Sequence, residues 1–320
     1  MTPSQLLSRG GVAVVAALLL SPALASCSST DATDSSNASA ERIDVVANFY
    51  PVQWLAESIG GDAVRVSSLT PEGVEPHDLS LDAKAQAALQ KADSVLYLGA
   101  GFQPDVERAV ALLPDRSVAT DLLTAPGVDL LPAPRDLGKE SLAGGKDPHV
   151  WLDPRRMAAM ADAVSASLRE ASPEASAAIE ANHKRVTGEL EALDQRYASA
   201  LKGCRSDVLV TGHAAFGYLA DRYGLTQIAI AGVSPEDEPT AKQLRSTAAL
   251  AKANDVSTVF YEDVLPDRLA KTVAEEVGAR ADLLSALEFD PRSSADSSAD
   301  YVSVMQDNLN RIVKGLACSG

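Results

Sequence analysis

The chain has only four histidines, and three of them stand where a strand-like segment gives way to a helical one. His77 lies in VEPHDL, His149 in DPHVWLDP and His213 in LVTGHAAFGYLADRYGL, each next to a proline or glycine. Neutral imidazoles at such positions are nitrogen donors for Zn²⁺, which favours a tetrahedral shell with Zn–N bonds of roughly 2.0–2.1 Å. A carboxylate would close that shell. LEFDPRSS, after another strand-like run, offers Asp290, with Glu288 as the nearby substitute. One loop histidine alone reads as readily as a solvated or hydrogen-bonded residue; three at equivalent transitions favour convergence on one cation. His183 falls elsewhere, inside a helical stretch, and is expected on its solvent face.

Bringing these residues together requires elements that hold distant segments in register. From Ile43 onward, IDVVANF, VRVSSL, SVLYLG, DVLVTG, TQIAIAG and STVFYE alternate with helical patterns, which points to an α/β fold with parallel sheets. Between Pro173 and Lys202 no strand pattern occurs, and Val186, Leu190, Leu193, Tyr197 and Leu201 recur every three or four residues, as on one helix face. This stretch is expected to be a rigid connector of about 45 Å, Gly188 being its weak point. It joins an N-terminal lobe, residues 43–172, to a C-terminal lobe, residues 203–320. The lobes look duplicated: Pro76 precedes Ser94 by the same number of residues as Pro239 precedes Ser257. In such sheets ligands bind beyond the carboxyl ends of the strands, so the expected metal site lies in the cleft between lobes. Trp54 and Trp151 are expected to fill cores, and Glu236, Asp237 and Glu238 to complement a helix dipole.

The start of the chain reads as an export signal. Arg9 precedes the apolar run VAVVAALLL and the small-residue segment LASC, too short to span a bilayer. Leu24 to Cys27 resemble the bacterial lipobox, so cleavage is expected after residue 26 and lipidation on Cys27; an ordinary signal peptide cut nearby is the plainer reading. Residues 27–42 are polar and small, a flexible tether. Without residues 1–26, whose only charge is Arg9, the net charge of −16 becomes one unit more negative. Such a surface is a poor nucleic-acid binder. A composition of 46% hydrophobic but only 4% aromatic residues implies cores built from Ala, Leu and Val. Cys204 and Cys318 are the remaining cysteines; in an oxidising compartment they form one disulfide, or else stay as two buried thiols.

EPHDLSL, HVWLDP, GHAAFGYLADRYGL, GVSPEDEPTAKQL and FYEDVLPDRLAKTVAEEVGA resemble the metal-receptor lipoproteins of ABC importers, specifically the zinc-uptake receptors, over essentially the whole mature chain. The resemblance implies two (β/α)-type lobes joined by one long helix with metal in the cleft. It implies His77, His149 and His213 as ligands, with Asp290 as the acid and Glu75 as an alternative to it. The implied protein is no enzyme but a lipid-anchored extracytoplasmic monomer that captures Zn²⁺ and delivers it to an ABC permease. Related manganese receptors carry a carboxylate at the position of His213, so an imidazole there favours zinc over Mn²⁺. The segment LPAPRDLGKESLAGGKDP has no histidine, unlike the histidine-rich loop of many zinc receptors. Three competing readings are a manganese receptor, a zinc hydrolase with an open coordination position, and a surface adhesin.

Overall fold

The computed structural model describes residues 42–134, 145–235, 238–262, 267–293 and 298–319. The expected leader, Cys27 and the tether up to residue 41 lie outside them, as do Glu236, Asp237 and most of the histidine-free loop. The first half of the chain runs β1 (Ile43–Ala47), α1 (Tyr50–Gly60), β2 (Val64–Ser68), α2 (Ala83–Leu89), β3 (Ser94–Tyr97), α3 (Pro104–Ala111) and β4 (Ala119–Asp121). Two longer helices follow, α4 (Pro154–Ala171) and α5 (Ser176–Ala200). The second half runs β5 (Val208–Thr211), α6 (Gly217–Tyr223), β6 (Thr226–Ala229), α7 (Ala241–Ala253), β7 (Thr258–Tyr261), α8 (Arg268–Val277), β8 (Arg280–Leu283) and α9 (Tyr301–Gly315).

Each half forms a four-stranded sheet, in the order β2-β1-β3-β4 and β6-β5-β7-β8, with every pairing parallel. The fold is α/β, and the two sheets share one strand order. Central strands in such sheets are covered on both faces and read as unbroken apolar runs; all four residues of β5, Val-Leu-Val-Thr, are buried. In both sheets the chain leaves the first central strand to one side and returns on the other, so a crevice opens beyond the ends of β1 and β3 and of β5 and β7.

One face of each sheet looks outward. Val46, Val95, Val106 and Val110 pack with α2 and α3 on the first, and Val210, Val259, Ala248 and Ala270 with α7 and α8 on the second. The inward faces share a single apolar cluster that takes Val45 and Leu96 from one sheet, Leu209 and Phe260 from the other, and Val186, Leu190, Leu193 and Tyr197 from α5. The helical spacing noted in this stretch is therefore the spacing of buried positions, each large side chain contributing roughly 1.5–3 kcal/mol on burial. A 3-10 turn, Pro173–Ala175, leads into α5. The Tyr197 hydroxyl donates to the Met305 carbonyl of α9 at 2.6 Å.

Trp151 is fully buried in this cluster and donates to the Ala286 carbonyl at 2.8 Å, while Trp54 stacks on Tyr301. Asp153 caps α4 through the Arg155 amide, and Pro154 occupies its first turn. The α7 cap is Thr240, in a capping box with Gln243, and Glu238 precedes it. Cys204 and Cys318 are joined as a disulfide, tying the end of the chain to the start of the second half. No helix among the described residues is long and apolar enough to cross a membrane.

Candidate metal centre

Four side chains from four strand-to-helix loops meet between the sheets. His77 comes from the irregular segment 69–82 after β2, and His149 from the segment that leads from β4 into α4. His213 stands two residues beyond β5, and Glu288 a few residues beyond β8. All four are enclosed, with side-chain exposures of 4%, 0%, 0% and 1% respectively. The three rings turn Nε2 toward one carboxylate oxygen. Glu288 Oε1 lies 3.5 Å from His77, 3.4 Å from His149 and 3.3 Å from His213, and the Nε2 atoms of His77 and His149 are 3.3 Å apart. Ligand atoms of His77, His149 and Glu288 all lie within 4.8 Å of one another, and His213 joins them through Glu288.

Asp290, the carboxylate first expected in this role, is not part of the cluster. Arg292 grips it from two residues on, Nε to Oδ1 at 2.9 Å and Nη2 to Oδ2 at 2.7 Å, and also reaches Glu57 of α1 at 3.0 Å. Its charge is already matched at the rim. Glu288, the substitute, takes the inner position. The turn that aims it is local: Leu287 adopts φ 57°, a left-handed conformation that costs a bulky residue about 1–3 kcal/mol, while its side chain stays buried. Glu75 remains at the edge. Its Oε2 accepts from the Asp78 amide at 3.1 Å, and burial together with the charge on Glu288 raises its carboxyl to about 7. His183 pairs with Asp162 at 2.7 Å on α4, away from the cluster.

Electrostatics in the cluster are dominated by burial against charge pairing. Burial raises Glu288, but His213, His149 and His77 outweigh it and hold the carboxyl well below its usual range. Burial likewise opposes charge on His213, yet Glu288 and Glu262 raise the ring to about 10. His149 is raised too, Asp147 and Glu288 overcoming its burial. For His77 burial prevails and the ring is lowered.

The donor set fits a divalent cation. Both Glu288 oxygens and both His213 ring nitrogens are buried without an aligned hydrogen bond, a costly arrangement of several kcal/mol per uncompensated ion, and three nitrogens with one oxygen form the shell Zn²⁺ prefers. A tetrahedron with bonds of roughly 2.0–2.1 Å has edges of roughly 3.3–3.4 Å. The four distances above, three from Glu288 Oε1 and one between His77 and His149, match four of the six edges, and His213 is linked to the set through Glu288. A cavity of about 180 Å³ lined by Tyr50, Ser68, Thr70, Glu72, Glu288 and Asp290 leads from the rim to Glu288.

Two further carboxylates, not expected from the sequence, lie behind the rings. Asp147 Oδ1 accepts from His149 Nδ1 at 2.7 Å and from the His149 amide at 3.0 Å. Glu262, just past β7, accepts from the His213 amide at 3.2 Å, and the same oxygen is 3.3 Å from His213 Nδ1. Asp147 sits in DPH, the same acid-proline-histidine order as EPH at Glu75 to His77, a repetition that marks it. Glu262 carries no comparable signal.

The family model described as zinc-uptake complex component A, periplasmic, matches residues 45–315. The zinc-binding lipoprotein AdcA of Streptococcus pneumoniae is 33% identical over 276 residues, which cover 85% of this chain and 55% of that protein; the chain thus spans about half the length of this relative. The high-affinity zinc uptake system protein ZnuA of Bacillus subtilis is 30% identical, covering 96% of this chain and 97% of its own. Among solved structures, the Zn(II)-bound ZnuA-like domain of S. pneumoniae AdcA superposes with a TM-score of 0.73 at 31% identity, covering 86% of this chain and 99% of that one. A laminin-binding protein of Streptococcus agalactiae, described as bifunctional with adhesin and metal transporting activity, also gives 0.73, at 27% identity, covering 86% and 100%.

Proposed function

The chain belongs to the zinc-uptake complex component A family, and we propose that it is the extracytoplasmic receptor of an ABC importer, capturing Zn²⁺ and delivering it to a membrane permease. The observation that carries this reading is the convergence of the Nε2 atoms of His77, His149 and His213 on one oxygen of Glu288 at 3.3 to 3.5 Å, distances that match edges of a tetrahedral zinc shell. The relatives named as zinc-binding and zinc-uptake proteins support it. Three imidazoles and one carboxylate favour zinc over manganese, which prefers more oxygen donors. A shell closed by Glu288 leaves no open position for activated water, so the reading is of a carrier and not of a hydrolase.

The remaining organisation follows from the sequence. Residues 1–26 are removed on export, Cys27 carries lipid, and 27–42 form the tether. Lobes 43–172 and 203–320 flank the connector 173–202, and the protein works as a monomer. Capture joins two ligands from each half. Release follows when docking to the permease shifts the ligand loops and breaks one or two bonds. The test is metal analysis of protein purified without chelators or affinity tags, followed by competition between Zn²⁺ and Mn²⁺. Stoichiometric zinc that manganese fails to displace is expected; preferential manganese binding, or no metal at all, overturns the reading. The S. agalactiae likeness raises adhesion as a second activity. A strain lacking the protein that grows normally without added zinc but loses attachment would make adhesion the primary one.

A further inference from the structure

The two carboxylates behind the rings are placed alike, although Asp147 hydrogen-bonds the His149 ring at 2.7 Å while Glu262 lies 3.3 Å from His213 Nδ1 without an aligned bond. In each case a single oxygen faces both the backbone amide and the ring Nδ1 of the same histidine: Asp147 Oδ1 for His149, and Glu262 Oε1 for His213. Both acids are buried, 2% and 1% exposed. One arises from the neighbouring residue pair, the other from a strand 49 positions away, so chain proximity alone does not produce the likeness. Space is kept for each by a glycine. A Cβ at Gly217 would come within 2.8 Å of Asp147 Oδ2, and one at Gly212 would collide with Glu262 Oε2.

His77 lacks such a partner. Its Nδ1 is buried with no hydrogen-bond partner among the described residues and, unlike that of His213, has no carboxylate recorded beside it; Glu75 Oε2 accepts from the Asp78 amide. The ring rests edge-on against Phe102 instead.

We propose that Asp147 and Glu262 are positioning residues that hold His149 and His213 with Nδ1–H turned outward and Nε2 free for the cargo ion, leaving His77 as the least restrained ligand and the first to let go. An acceptor behind a metal-bound imidazole fixes its tautomer and orientation and makes the ring a stronger donor, and removing one generally weakens binding about 10- to 100-fold. A ring without that restraint gains more conformational freedom when its bond breaks, so dissociation begins there.

This inference rests on the zinc reading of the site, and the experiment separates the two. Zinc release to excess chelator is followed in the wild type and in Glu262→Ala, Glu262→Gln, Asp147→Ala and Gly212→Ala. The last leaves every charge in place and displaces Glu262 by bulk. Release is expected to quicken about 10- to 100-fold in both acid-to-alanine variants and in Gly212→Ala, with partial rescue in Glu262→Gln, whose amide oxygen still accepts. Nitrogen-15 spectra of the zinc-loaded wild type should show slowly exchanging Nδ1 protons on His149 and His213 but not on His77, and the His213 signal should vanish in Glu262→Ala. These ring signals do not move for a merely structural role. Wild-type release rates in Glu262→Ala and Gly212→Ala, or equal protection of all three ring protons, overturn the inference. A wild-type protein that takes up no zinc overturns the zinc reading itself.

Discussion

In the second half of the molecule, His213 stands two residues past a buried central strand with Glu262 behind it; in the first half, His77 hangs from the irregular segment 69–82 with Phe102 against its ring and no acceptor for its Nδ1 among the described residues. Both halves have the same strand order, so topology alone does not set how firmly a ligand is held. Distance from the strand end and a carboxylate at the outer ring nitrogen do. His149 shows which matters more. It lies far from its strand yet its ring is fixed by Asp147, which accepts from Nδ1 at 2.7 Å.

The largest effect expected from breaking this arrangement is at its centre. Glu288→Ala should weaken zinc binding by about three orders of magnitude, roughly 4 kcal/mol, measured by competition with a chelator of known affinity, whereas Asp290→Ala should change it by less than about threefold because Arg292 already occupies that carboxylate. Equal losses would return Asp290 to the site. His213→Ala and His149→Ala should each cost nearly as much as Glu288→Ala, and His77→Ala about tenfold less, since its ring is the least prepared for the ion. A loss at His77 as large as at His213 would erase the contrast between the halves.

Acidity gives the next effect. In the metal-free protein His213 is held protonated up to about pH 10 and His149 is also raised, each with burial opposed and overcome by neighbouring carboxylates. Zinc must displace these protons, so affinity rises with pH toward 10 and falls as pH drops. Calorimetry at pH 7 in buffers of different ionisation enthalpy should show about one to two protons released. The same raised His213 stabilises the metal-free fold below its ordinary value of about 6.5, and that contribution disappears as pH climbs through 10. Zinc-free melting temperatures should therefore fall over that alkaline range. The smallest effect is expected at His183, where substitution by alanine should leave zinc affinity unchanged, its partner Asp162 being on the outer side of α4.

The three histidines were legible because they are rare residues beside proline or glycine at turns between periodic segments, and alternation of apolar strands with helices is a strong enough pattern to reveal the sheets. The carboxylate was harder. Glu288 and Asp290 are two positions apart in one extended stretch, and sequence carries no mark of the left-handed Leu287 that points the first inward or of the Arg292 that claims the second. Asp147 is legible in the repeated acid-proline-histidine order. Glu262 was hidden for a plainer reason: its partner lies on another strand, and only the parallel pairing of β5 with β7 makes them neighbours.

The helix α5, 25 residues long, contributes to the same apolar cluster as strands from both sheets and is bonded to α9 through Tyr197. Among the described residues the halves share one continuous apolar interior, and bending the molecule would mean tearing it. Compliance is left to the ligand-bearing loops, chiefly segment 69–82. Solution scattering profiles with and without zinc should accordingly superimpose, while hydrogen exchange in that segment slows on loading.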